Sequence, residues 1–116
     1  MISDNKPIYL HIIEKLINTF SKENLGFVIG ATHPNELKDL RQIIPNNIIL
    51  IPGVGAQGAD IEQVITANNS ASESNNAPAI INVSRAIIYP KIENNDFDNS
   101  IKQTTLFYKN AFNYLI

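Results

Sequence analysis

Cysteine is absent from these 116 residues, which excludes a disulfide framework and a thiolate metal site but leaves the compartment open. Blocks of like charge are missing too. Nine basic and eleven acidic residues are spread along the chain for a formal charge of −2, a balance that leaves no electrostatic footprint for nucleic acid or an anionic membrane. No apolar run approaches the roughly 20 residues of a membrane span. The start, Met1-Ile2-Ser3-Asp4-Asn5-Lys6-Pro7, has no basic head followed by a continuous apolar core, so no secretory signal is expected. A cytoplasmic binder of a small neutral or anionic ligand fits these absences. The 44% apolar content over 116 residues suffices for one globular unit and not for two.

What is present is a strict alternation of helical and extended patterns. From Pro7 to Phe20, apolar residues recur at Ile8, Ile12, Leu16 and Phe20, with Pro7 suited to a first turn and Asp4 or Asn5 placed as a cap. Leu25 to Ile29 reads as a short strand. Pro34 and Glu36 then open a helix with the stripe Leu37, Leu40, Ile44, stopped by Pro45-Asn46-Asn47. Ile48 to Ile51 is the next strand, and Asp60 to Ala67 the next helix, with acids Asp60 and Glu62 in its positive first turn. The tract from Asn68 to Asn76 reads as a polar surface loop. Ala79 to Val83 is a third strand, Ser84 to Tyr89 a short helical turn, Lys91 to Asn99 another polar loop. A last helix from about Ser100 carries Ile101, Tyr108, Phe112 and Leu115 on one face. This order implies an α/β fold with a parallel sheet and crossover helices, and the Ile/Val-rich strands predict a sheet covered on both faces.

The most informative segment is Pro52-Gly53-Val54-Gly55-Ala56-Gln57-Gly58-Ala59-Asp60, directly after the run Ile48-Ile49-Leu50-Ile51. Gly53, Gly55 and Gly58 allow positive φ and close backbone approach to an anion, with the next helix's free N–H groups aimed at the same place. Ala79-Ile80-Ile81-Asn82-Val83 then ends in Ser84-Arg85, which sets a permanently charged fork at the end of the neighbouring strand. Loop and arginine together suit one phosphate. Taken alone, the loop also reads as a tight strand-to-helix turn, and Arg85 as a solvated charge. The spacing Gly53-x-Gly55-x-x-Gly58 further matches a dinucleotide fingerprint, with Arg85 facing an NADP 2′-phosphate. That reading lacks its ribose reader at the next strand end, since Glu73 lies in the polar loop. An open doubly wound sheet and a segment of a (β/α)8 barrel share the element order. A barrel binds phosphate between the loops after its seventh and eighth strands, where the glycine loop and Ser84-Arg85 fall if these are the last two.

Three segments carry a family resemblance: Leu25-Gly26-Phe27-Val28-Ile29-Gly30-Ala31-Thr32, then Leu50 to Asp60, then Ile81-Asn82-Val83-Ser84-Arg85-Ala86-Ile87. In this order they resemble the C-terminal half of orotidine 5′-phosphate decarboxylases of the longer-chain bacterial type, and the Pro-Gly-Val-Gly-Ala-Gln-Gly text is the specific part. The resemblance implies that residues 1–116 are the C-terminal half of such a barrel domain. It implies cofactor-free conversion of orotidine monophosphate to uridine monophosphate and CO2 in pyrimidine biosynthesis, by a barrel that usually works as a dimer. It places the phosphate grip on Gln57 and Arg85, assisted by main-chain N–H groups around Ser84 and Arg85, with Pro52 lining the pyrimidine pocket.

The chain departs from that family at the chemistry. The family's Asp-x-Lys-x-x-Asp motif and an earlier lysine have no counterpart; the nearest string, Asp4-Asn5-Lys6-Pro7-Ile8-Tyr9, has Tyr9 in place of the second aspartate. No catalytic residue is therefore expected in this chain, and the missing N-terminal half of the barrel is the expected partner. Within the chain itself, a non-catalytic phosphate or nucleotide binding module is the alternative. His11 and His33 lack further ligands at metal spacing, so no metal site is expected. Ser84 has no histidine and acid arranged around it, so no nucleophile is assigned.

Overall fold

Short Ile- and Val-rich runs form strands, and the amphipathic stretches between them form helices. The computed structural model describes residues 2–3, 5–55, 60–72 and 77–115, with side chains over 5–55, 60–72 and 77–113. β3 (Phe27–Val28), β4 (Ile49–Ile51) and β5 (Ala79–Ile81) lie side by side in that order, with both pairings parallel. α1 (Ile8–Thr19) precedes them, α2 (Pro34–Ile43) and α3 (Ile61–Asn68) are the crossovers, and α4 (Arg85–Ile88) and α5 (Phe97–Leu115) follow. The expected α/β arrangement of three parallel strands with flanking helices is present.

Side chains alternate across this sheet, and the two faces differ. Ile49 and Ile51 are fully buried against Leu37, Leu40 and Ile44 of the α2 segment and Ile61, Val64 and Ile65 of α3, with Phe27, Ile29, Ala79 and Ile81 packed against the same cluster. The opposite face is open. Val28, Leu50 and Ile80 stand in register across the strands, and Val28 and Ile80 are 71% and 55% exposed. The expectation of a sheet covered on both faces is thus corrected: among the described residues the helices cover one face only.

α1 corrects a second expectation. Ile8, Ile12 and Phe20 of the anticipated stripe are exposed, while Ile13 is buried and Tyr9, Leu10 and Ile17 pack on the core. Both sides of this helix are apolar, so spacing alone did not choose the inner one. Its N-cap is Pro7, without a side-chain cap bond. Asn5 takes φ +60° in a turn between two short antiparallel strands, β1 (Ile2–Ser3) and β2 (Lys6–Pro7), that the sequence did not announce. Asp4 lies outside the described residues. α5 begins at Phe97, ahead of Ser100, because the Asp96 carboxylate accepts from Asn99 N at 3.0 Å and so supplies an N-cap.

At the N-terminal end of the sheet, Asn68 and Asn69 are buried, where a surface loop was expected. The cause is Arg41 on α2, which is 0% exposed. Its Nε and Nη2 donate to Asn68 Oδ1 at 2.9 and 2.7 Å, its Nη1 to the carbonyls of Ile44 and Asn47 at 3.0 and 2.7 Å, and its Nη2 also to Pro78 O at 2.6 Å. Asn68 Nδ2 donates in turn to Ala77 O, Ala77 N donates to Asn69 Oδ1, and Asn47 Nδ2 donates to Leu25 O. One buried cation thereby ties together the segments that lead into β4 and β5, and Asn47 adds the one that leads into β3.

Candidate functional site

The opposite, C-terminal end of the sheet carries the glycine segment. β4 ends at Ile51, and Pro52 turns the chain while its carbonyl accepts from Ala31 N at 3.0 Å, which links the loop after β3 to the loop after β4. Gly53 and Gly55 follow with φ of +93° and +82°, a region that residues with a Cβ enter at a cost. Val54 between them is buried and anchors the turn in the core. The glycines are where this turn requires them.

On the neighbouring strand, Asn82 N donates to Ile51 O at 3.0 Å, so the chain keeps beside β4 past the end of β5. Ser84 then stands at the N-cap of α4 and makes no side-chain cap bond; its carbonyl accepts from Ile87 N and Ile88 N at 3.0 and 2.8 Å. Arg85, the first residue of α4, is exposed. A Cβ placed on Gly55 would lie 3.0 Å from Ala86 Cβ, so the glycine turn and the turn of Ser84 and Arg85 are in contact. Pro52, Gly53, Gly55, Ser84 and Arg85 therefore share one end of two adjacent parallel strands. Gln57 and Gly58 lie outside the described residues.

The start of α3 carries the two acids expected there. Asp60 caps that helix, its carboxylate accepting from Glu62 N at 2.8 Å, and Glu62 adds a second acid to the first turn. Both carboxylates lie at the positive end of α3, where the helix dipole favours them.

Tyr108 belongs to the apolar face expected of the last helix. It does pack on the core, but its hydroxyl also reaches the glycine turn, where a Cβ on Gly55 would stand 2.5 Å from it. No spacing in the sequence links position 108 to position 55. Lys6 lies in β2 and pairs with Glu14 of α1 at 2.7 Å. Among the described residues, no group of three His, Cys, Asp or Glu side chains is placed to hold a metal ion, and no helix is long and apolar enough to cross a membrane.

No family model matches the chain. Individual proteins do. It is 36% identical over 114 residues to an orotidine 5′-phosphate decarboxylase of a Janthinobacterium species, covering 97% of this chain and 41% of that protein. The enzyme of that name from Roseiflexus castenholzii is 40% identical over 89 residues, 76% of this chain and 32% of its own length. That from Christiangramia forsetii is 41% identical over 91 residues, 78% and 32% of the two lengths. The chain is a relative of the orotidine 5′-phosphate decarboxylases. It spans about two fifths or less of the length of the curated relatives it matches. Three parallel strands with helices on one face fit part of the orotidine 5′-phosphate decarboxylase barrel, and the match to those proteins favours this over an open nucleotide-binding sheet.

Proposed function

We propose that this chain is the C-terminal portion of an orotidine 5′-phosphate decarboxylase barrel and that it supplies the site for the substrate phosphate. The observation that carries the reading is the contact between the positive-φ turn at Gly53 and Gly55 and the turn that presents Arg85. In this reading the Arg85 guanidinium and the Gln57 side chain grip the phosphate, the backbone around Ser84 and Arg85 assists, and Pro52 borders the pyrimidine. A charge-assisted bidentate grip of this kind is open to arginine and not to lysine. Because the phosphate is remote from the reacting carbon, its binding energy orients the base for chemistry elsewhere. The lysine and aspartates of that chemistry belong to the barrel's other part, and the assembled enzyme needs no cofactor.

Titration with uridine monophosphate and with uridine of the chain carrying Val28→Lys and Ile80→Lys, two exposed positions of the open sheet face changed to limit association, followed by chemical shifts of the backbone amides, tests the site. The nucleotide is expected to shift Gly53, Gly55, Ser84 and Arg85 at concentrations where the nucleoside does not. Arg85→Ala is expected to cost roughly 2–5 kcal/mol of the difference, the scale for truncating one partner of a buried charge pair. Equal responses to both ligands would overturn the phosphate site. Phosphate-dependent binding without any activity after complementation of the unsubstituted chain with the remainder of a relative's barrel would instead favour a non-catalytic nucleotide-binding module.

A further inference from the structure

We infer that Tyr108 is a positioning residue for the glycine turn, holding the Gly53–Gly55 backbone at a fixed distance from Ser84 and Arg85. Tyr108 belongs to α5, far from both loops in sequence, yet its side chain ends at their junction. A Cβ on Gly55 would meet Tyr108 Oη at 2.5 Å, Ala86 Cβ at 3.0 Å and Tyr108 Cζ at 3.2 Å. The hydroxyl thus occupies the space that any side chain at position 55 would need, and it does so where the turn meets α4.

The turn is held from its other side as well, by the bond from Ala31 N to Pro52 O at 3.0 Å. Val54 is buried between these two restraints. The tyrosine ring has neighbours of its own. Phe107 stands edge-on to it, with ring centroids 5.2 Å apart and planes at 83°, and the ring packs on the core beside Ala111 and Phe112.

Tyr108 also stands between two cavities, one of about 410 Å³ bounded by Ile81, Val83, Ile87 and Phe112, the other of about 300 Å³ bounded by Lys91, Ser100, Thr104 and Phe107. Shortening the side chain would join these spaces and let the turn relax into them. Without Tyr108 the turn keeps the bond at Pro52 and the buried Val54 but loses the contact that spaces Gly55 from α4, and a displaced grip loses affinity steeply. The step from loop position to anion affinity rests on the phosphate reading above; the step from Tyr108 to loop position does not.

The full chain with Tyr108→Phe and with Tyr108→Ala separates the two. Amide hydrogen exchange is expected to quicken at Val54 and Gly55 in both variants, more in the second, with exchange at Leu37 and Ile49 unchanged in Tyr108→Phe, which keeps the ring. The preference for uridine monophosphate over uridine is expected to fall roughly tenfold in Tyr108→Ala, the order expected for a misplaced binding group. Gly55→Ala is expected to be less disruptive when combined with Tyr108→Ala than in the native chain. Exchange at Val54 and Gly55 unchanged by either substitution would overturn the inference, as would acceleration in Tyr108→Phe spread equally over the core strands and helices. Acceleration confined to the turn, in a chain that never distinguished nucleotide from nucleoside, would support the role of Tyr108 and sink the phosphate reading alone.

Discussion

Arg41 shows how much one residue organises here, and why its importance could not be read from its type. An arginine on a polar helix face ordinarily snorkels to water. This one is buried, and its five N–H groups find five acceptor contacts on Ile44, Asn47, Asn68 and Pro78, without a carboxylate among them. Burial pulls its guanidinium down from its ordinary value to about 10. Because the folded value lies below the unfolded one, the folded chain binds fewer protons only in the strongly alkaline range above about pH 10, and stability gains from this group as pH rises through that range. Near neutrality the ion is charged in both states, so its burial penalty is constant there. Arg41→Met is expected to lower stability by about 3 kcal/mol or more, since it strands several buried acceptors that cost roughly 1–3 kcal/mol each. Urea denaturation followed by circular dichroism measures it. A loss under about 0.5 kcal/mol, the size of an inert surface change, would mean that the network does not hold the strand entrances together.

The helices were legible to different degrees, for reasons that lie in each one. The stripe Leu37, Leu40, Ile44 faces the core as expected, because apart from Ile43, which also packs there, the helix after Pro34 is polar and leaves one choice of face. α1 has apolar residues over a wide arc, and the side picked out by the four-residue spacing is not the one that packs. The stretch from Asn68 was read as a loop because runs of asparagine favour turns; only the partner on α2, 27 positions away in sequence, buries it. In the candidate site, the glycines and Arg85 announced themselves by spacing and charge, while Tyr108 came only with the packing of α5. Asp60, expected as an acid in a positive first turn, proved to be a cap with a defined bond. Asp60→Ala is expected to cost about 1 kcal/mol and to leave any nucleotide binding intact, since the α3 terminus is already occupied by its own carboxylate. Weaker or stronger nucleotide binding in that variant, at unchanged fold, would return α3 to the anion site.

The molecule as a whole leaves apolar surface without cover. Val28, Leu50 and Ile80 line an open face, Ile8, Ile12 and Phe20 a second, and β3 and β5 have no partner on their outer edges among the described residues. The radius of gyration, 16.3 Å, exceeds the roughly 13 Å of a compact chain of this length. Unpaired parallel edges beside an exposed apolar face invite association. Alone, the chain is expected to sediment as oligomers or aggregates, and Val28→Lys combined with Ile80→Lys to shift it toward monomer. The same open face is where the remaining strands of a barrel would close, so the double substitution should also block complementation by the other portion of a relative such as the Janthinobacterium enzyme. Decarboxylation of orotidine monophosphate is expected from the complemented assembly and not from the chain alone, because gripping a phosphate supplies no group that stabilises or protonates the carbanion. Arg85→Ala in that assembly should cost roughly 2–5 kcal/mol of transition-state binding with the phosphorylated substrate, and a phosphate-free analogue should be nearly insensitive to it. Steady-state kinetics on both substrates decides. Equal loss on both would assign Arg85 to the fold, and turnover by the isolated chain would show that catalytic groups reside within these residues after all.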